Sequence, residues 1–434
     1  MIGVFPLLLA LLRTQAGGVE IHSRIASVLH RGNAEQPRDA ATLAQALARL
    51  GPDAVPALYD LIRGQGMEEL IGEEWKPEVW SCTPEDIPEL CIAALARASA
   101  KEVLGHLDHV LEGEPSFQER IAILRILERQ PSVEGLALLL ENARGLGDLE
   151  LARPSVRRTL RSALTATLRV DEPSWSRLGA ELSELPTALA EVSVEAIGAA
   201  GRARGMQLLA RIFAQGTRGP VRSELVVEAM VELERSRPWD LGGETYRRCG
   251  AWQRSPEPAR RMRFARLVGE LHAADGVPGL LELLKDENLL VRGCAESALV
   301  AMKGSPLDLA SWEVWYENEQ AWQATRWVPL CEDFASGEAG RANQALRELR
   351  EHPLYRHEVA RALARGLASL PPGLLPAVSA ELTALGSRCA VPDLVAALEG
   401  KAQLRAAAWR VLRALMGDEG RELAPKAWRA LLDT

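Results

Sequence analysis

Val277-Pro278-Gly279-Leu280-Leu281-Glu282-Leu283-Leu284, then Lys285-Asp286-Glu287-Asn288, then Leu289-Leu290-Val291-Arg292, is the stretch that decides the fold. Proline in the first turn of a helix forgoes only an N–H that has no intrahelical acceptor, so Pro278 opens a helix over the apolar run. The polar turn ends that helix and a second periodicity starts at Val291. Val291, Cys294, Ala295, Ala298, Leu299 and Met302 fall at steps of 0, 3, 4, 7, 8 and 11. Such steps put all six on one face of a helix, facing one core. Gly304 follows as the stop, the residue type that most easily takes a left-handed C-terminal conformation.

The same plan recurs downstream. Val391-Pro392-Asp393-Leu394-Val395-Ala396-Ala397-Leu398 opens a leading helix, Gly400 marks a turn, and Leu404, Ala407, Ala408, Val411, Leu412 and Leu415 repeat the earlier steps before Gly417. Weaker copies begin at Val55-Pro56, Val133, Val156-Arg157 and Val221-Arg222. Self-similarity of this kind predicts an array of helix pairs in which each pair buries its apolar face against the next. Residues 64–86 and 236–258 are rich in Gly and Pro and read as joints.

With a V-P-x-L leading helix, an acidic turn and a V-R-x-x-A-x-x-A-L trailing helix, the chain resembles the HEAT repeats, of the kind also called PBS-lyase HEAT-like. The match is specific for 265–304 and 383–417, fair for 39–64 and diffuse between 65 and 260. The resemblance implies an all-α, α-α superhelix of antiparallel helix pairs. It also implies a ladder joining neighbouring units, carried by the turn aspartate and the arginine six residues later, here Asp286 and Arg292. The C-terminal copy keeps Arg405 without the aspartate. The expected organisation is a signal peptide over 1–16, degenerate helical repeats over 17–235 and an irregular joint over 236–258. A HEAT repeat with a Trp-rich segment follows over 259–332, and HEAT-like repeats close the chain over 333–434.

Tryptophan is the commonest aromatic, 11 residues against 5 Phe and 4 Tyr, so its placement is informative. Trp175, Trp239, Trp312 and Trp428 each lie 17 to 23 residues after the arginine that opens a trailing helix. A position that recurs with the repeat points to packing over the end of a helix pair. Trp312 and Trp315 share a helical face, while Trp322 and Trp327 break the spacing and are the better candidates for gripping a partner. An arginine cluster at 235–266, including Arg260 and Arg261 and interleaved with Trp239 and Trp252, offers a second partner surface. Its alternative reading is a solvated face matched by nearby glutamates.

The net charge of −8 opposes a general nucleic-acid binder, which needs a basic face. Lys is scarce beside Arg, as a GC-rich coding sequence would produce without any chemical cause. Six scattered cysteines contain no C-x-x-C pair, which removes zinc-ribbon and thioredoxin-like motifs. His357-Glu358 begins an H-E-x-x-H pattern, but Arg361 stands where the second histidine belongs. His106 and His109 could share a helical face as a metal pair, yet two ligands without a third make a weak site. No catalytic residue, cofactor or metal is expected.

A non-enzymatic scaffold for a protein partner is therefore the expected function. A bilin-lyase-like or chaperone-like accessory subunit, and a nucleic-acid-gripping repeat protein, are the alternatives that the resemblance implies. No stretch is long and apolar enough for a stable membrane anchor. The apolar run Ile2–Leu12, followed by Arg13 and small residues at Thr14 and Ala16, predicts a secreted or periplasmic product, with cytoplasmic residence if the run is uncleaved. Intact-mass analysis is expected to show loss of the segment up to about Ala16; a full-length cytoplasmic product would contradict this.

Overall fold

The computed structural model describes residues 20–30, 39–71, 81–170, 172–215, 221–241, 243–417 and 425–433, and among them there is no β-strand. The chain forms two compact units, residues 1–200 with 215–225, and residues 201–214 with 226–434. The stretch 236–258 thus lies inside the second unit, where it is built of short helical pieces at Pro238–Leu241, Glu244–Arg248 and Gly250–Arg254. The signal-peptide expectation, together with Trp75 and Trp80, lies outside the described residues.

In the first unit the main helices are α1 (Ala40–Ala48), α2 (Val55–Ile62), α3 (Ile87–Leu95), α4 (Ala100–Glu112), α5 (Phe117–Arg129), α6 (Val133–Arg144), α7 (Pro154–Val170) and α8 (Thr187–Ala200). Both α1 and α2 pack on α3, α6 meets α4, α5 and α7, and α7 also packs on α5 and α8. Helices therefore contact near neighbours in sequence, as a repeat array requires. Sequence periodicity set the inward faces: Val156, Leu160, Ala163, Leu164 and Thr167 of α7 are all buried.

The second unit contains α9 (Pro258–Leu271), α10 (Val277–Leu283), α11 (Leu289–Lys303), α12 (Leu309–Ala335), α13 (Ala339–Leu349), α14 (Arg356–Gly366), α15 (Leu375–Leu385), α16 (Val391–Ala397), α17 (Ala402–Met416) and α18 (Pro425–Asp433). Asn288 caps α11 by accepting from the Leu290 and Val291 amides, at 2.9 and 3.4 Å. Gly304 ends the helix at a φ of 93°. Val291, Ala295, Ala298, Leu299 and Met302 are buried, and so are Ala407, Ala408, Val411, Leu412 and Leu415 in the echo on α17. Cys294 and Leu404, at the equivalent second and first steps, are only partly covered.

The ladder differs from its expectation. Asp286 is gripped through both carboxylate oxygens by Arg261 of α9, at 2.7 and 3.0 Å. Arg292 instead donates to the backbone carbonyl of Asp286, at 2.7 Å. Arg405 behaves alike in its own turn, donating to the carbonyls of Leu398 at 3.0 Å and Gly400 at 3.3 Å. The repeated arginine thus ties down its own turn, and that task needs only carbonyl acceptors. Loss of the aspartate from the second copy leaves it intact.

Helices α9 and α11 approach closely at Gly269. A Cβ there would stand 2.8 Å from the Ala298 Cβ and 2.9 Å from its Cα, and a backbone atom cannot swing aside. Gly269→Ala gains about 1 kcal/mol of helix propensity but forces the helices apart, and overpacking of this kind costs about 1–3 kcal/mol. A net loss of up to about 2 kcal/mol is expected in urea unfolding; a gain would show that the two helices do not meet there.

Candidate functional site

A cavity of about 550 Å³ opens within the second unit. Four chain segments wall it: the end of α9 with the turn after it, the first turns of α14, the 387–390 turn that leaves α15, and the 234–246 segment. Each segment is held by its own backbone chemistry. Helix α9 stops at His272, whose φ of 48° is left-handed. Glycine fits that conformation best, although histidine enters it more readily than most residues. Its amide and that of Ala273 close the helix end on the carbonyls of Gly269 and Val268, at 3.2 and 3.0 Å. This unusual backbone turns the imidazole toward the first turn of α14.

There His272 Nε2 accepts from Arg356 Nη1 at 2.9 Å. The adjacent His357 donates from Nε2 to the Leu271 carbonyl at 3.1 Å and accepts at Nδ1 from the Ser387 hydroxyl at 2.7 Å. The two imidazoles stand edge to face with centroids 6.2 Å apart. Burial, then the neighbouring Arg356 charge and His357, push the His272 pKa down to about 4. Burial lowers His357 as well, against the pull of the Leu271 carbonyl. Both rings are therefore neutral at physiological pH, fixed as hydrogen-bonding pieces of the wall.

On the opposite side, buried Glu234 accepts from the amides of Gly243 and Thr245, the latter at 2.8 Å, and so fixes the loop that carries Trp239 and Tyr246. Gly243 has a φ of 82°, a conformation that favours glycine at this turn. Desolvation and then the Asp275 charge push the Tyr246 hydroxyl up to about 12. Glu358 opens to the cavity, yet loss of bulk water and the Asp275 charge raise its carboxyl. The Cys389 thiol is pushed up to about 11 by burial, so it stays protonated. All six cysteines are free thiols.

Most residues singled out in the sequence lie elsewhere. Trp312 is buried, edge to face with the half-buried Trp315 at 5.5 Å. Of the two tryptophans expected to face a partner, one is buried and one is half-buried. Trp322 is in the core, stacked on His352 at 3.7 Å and donating to Glu348, while Trp327 leans on it at 6.0 Å. Core packing occupies Trp322 completely. Trp175, Trp312 and Trp428 are buried in keeping with their periodic spacing, whereas Trp239 reaches the cavity with the Arg237 guanidinium 5.6 Å from its ring centroid.

The arginine cluster is largely neutralised. Arg260 pairs with Glu257, Arg261 with Asp286, Arg263 and Arg235 with Glu270, and Arg254 with Glu282. Arg261 is buried and unavailable to an external ligand. His106 packs its ring against Tyr59 at 5.2 Å while His109 pairs with Glu112, and no metal-binding group of three or more His, Cys, Asp or Glu occurs among the described residues. His357, Glu358 and Arg361, rejected as a broken zinc motif, are cavity residues. Their companion His272 was missed, because nothing local in the sequence marks a histidine at a helix C-terminus as functional.

No known protein family matches the chain. No curated protein matches it either. Among solved structures, the crystal structure of an engineered protein aligns at 14% identity over 92% of this chain and 99% of that one, with a TM-score of 0.27, too low to infer a shared fold. No helix among the described residues is long and apolar enough to cross a membrane.

The depressed pKa of His272 fixes the sign of its pH effect. The fold favours the neutral ring, so this contribution to stability is complete above the unfolded value of 6.5 and is lost as pH falls toward about 4. Histidine-resolved NMR is expected to show the His272 ring neutral down to about pH 4. His272→Gln should reduce the acid-linked loss of stability by at most about 3 kcal/mol over that interval. A ring titrating near 6.5 would place His272 in open solvent.

Proposed function

We propose that this chain is a non-enzymatic recognition scaffold built from HEAT-like helix pairs, and that its second unit holds a segment of a protein partner in the cavity between α9, α14 and the 387–390 turn. The observation that carries this reading is the pinned wall of the cavity. Its histidines, Glu234 and Ser387 are each committed to hydrogen bonds inside the fold. Fixed polar groups around a concave space favour selective binding, because little ordering remains to be done when a ligand arrives.

The nucleophiles nearby are not poised for turnover. Ser387 is 2% exposed, and its oxygen also accepts from the Cys389 amide at 3.3 Å. The His357 nitrogen that would need a carboxylate to orient it as a base bonds a backbone carbonyl instead. The Cys389 thiol is far from its thiolate form. Paired Arg–Glu contacts neutralise most of the 235–270 arginine cluster on which the nucleic-acid alternative rests. The arginine clamp shared by the turns before α11 and α17 supports the HEAT-like assignment.

Quantitative affinity capture with the full chain tests the proposal. Wild type is expected to retain a protein partner near stoichiometry, and Trp239→Ala to weaken that retention about tenfold or more. Equal retention by the variant, or a turnover activity that Ser387→Ala abolishes, would overturn it.

A further inference from the structure

Charges that line the cavity divide into those the fold uses and those it leaves over. Glu234 is spent on two backbone amides, and Glu270 on Arg235 and Arg263. Among the described residues, Arg361 and Arg388 also line it without an ion pair, Arg361 exposed and Arg388 donating to the Leu415 carbonyl, but Arg356 is distinguished by a buried, unpartnered nitrogen. It donates to His272 Nε2 and to the Leu385 carbonyl, both neutral, while its Nε is buried without any partner. It forms no ion pair with a carboxylate in the described structure, and burial lowers its pKa. Carbonyl dipoles at the end of α15 hold the guanidinium in place, but a helix end supplies only about half a charge against a full one. A dehydrated cation is thus left short of a counter-ion.

The opposite excess stands at another part of the same wall. Asp275 sits in the turn before α10 and raises the carboxyl of Glu358 through like charge. Among the described residues neither carboxylate forms an ion pair with a basic side chain, although Arg361 partly offsets Glu358 at longer range. Tyr246 lines the cavity with them and feels the Asp275 charge, so an aromatic ring lies beside the acidic end. A cation placed there meets two carboxylates and a π face. Arg356 and the acidic pair do not quench each other, because no ion pair joins them across the cavity.

We infer that the cavity takes a zwitterionic ligand, a free amino acid or a short peptide with free ends, its carboxylate on Arg356 and its ammonium between Asp275 and Glu358. The volume of about 550 Å³ is ample for such a molecule, since small-molecule sites run from roughly 300 to 1,000 Å³. This inference goes beyond the recognition role proposed above, because a free zwitterion is a different occupant of the same cavity from a partner segment.

Calorimetric titration of the full chain with alanine, dialanine and trialanine, all with free termini, tests it. At least one is expected to bind with a sub-millimolar Kd, and the length preferred separates a free amino acid from a peptide as the source. N-acetylation or C-amidation of the best probe should each weaken binding about tenfold or more. Asp275→Asn should remove most of the acetylation penalty and leave the amidation penalty. Arg356→Gln should do the reverse, with Arg356→Lys as the charge-retaining partner and a thermal melt to verify folding. Binding that ignores both end-caps, or the absence of binding by every free-ended probe at millimolar concentration, would overturn the inference. In that case, partner capture that still depends on Trp239 would leave the recognition role standing. Mass spectrometry of the titrated probe showing a new product would instead overturn the non-enzymatic reading while leaving the ligand class in place.

Discussion

The last carbonyls of a helix have no amide to bond, and in this protein long side chains from other helices supply the missing donor. Arg24 donates to Leu50 at the end of α1, and Gln130 to Leu95 and Ala98 at the end of α3. Arg169 reaches Ala199 and Ala200 at the end of α8. In the second unit, Arg356 serves Leu385 at the end of α15, Arg388 serves Leu415 on α17, and Arg237 serves Leu432 on α18. Each bond also sets a positive charge against the negative pole of a helix. The device fixes where one helix ends relative to the side of another, so the spacing of helices within each unit depends on it. A planar guanidinium can hold two acceptors at once, as Arg169 and Arg356 do, where an ammonium offers a single point of charge.

The cavity is a by-product of the same arrangement. Arg356 performs the carbonyl task for α15 and, in doing so, is held beside His272 at the end of α9. The left-handed backbone at His272 has a cost that glycine would avoid, and the observed return is a hydrogen bond into the cavity wall. Scaffold and site therefore share side chains, and the residues that close helices also decide what the cavity presents.

The fold was legible in the sequence where burial repeats with helical period. The stripes on α11 and α17 were readable because a buried face selects apolar residues at fixed steps, and three of the four regular tryptophans because packing recurs with the unit, Trp239 being the exception. Trp322 misled because its irregular position suggested a surface role, whereas a partner inside the fold, His352, explains it. The Asp286 ladder misled for a related reason: spacing matched Asp286 to Arg292, but only three-dimensional packing brings Arg261 to the carboxylate. The cavity was hardest to foresee. Tyr246, His272, Arg356 and Ser387 lie on separate segments, and their meeting depends on turn geometry that no local pattern encodes. His357-Glu358 was visible as a pair but measured against a zinc motif, the wrong template for it.

The buried tryptophans have a spectroscopic consequence. Trp175 lies in the first unit, while Trp312 and Trp428 lie under different helices of the second. Trp312 and Trp428 share one continuous apolar core, which contacts remote in sequence also tie together, so they report on the opening of that unit as a whole. Trp175 reports on the first unit, with an emission that reddens when water reaches the ring. Indoles buried in both units let the opening of one be told from the opening of the other.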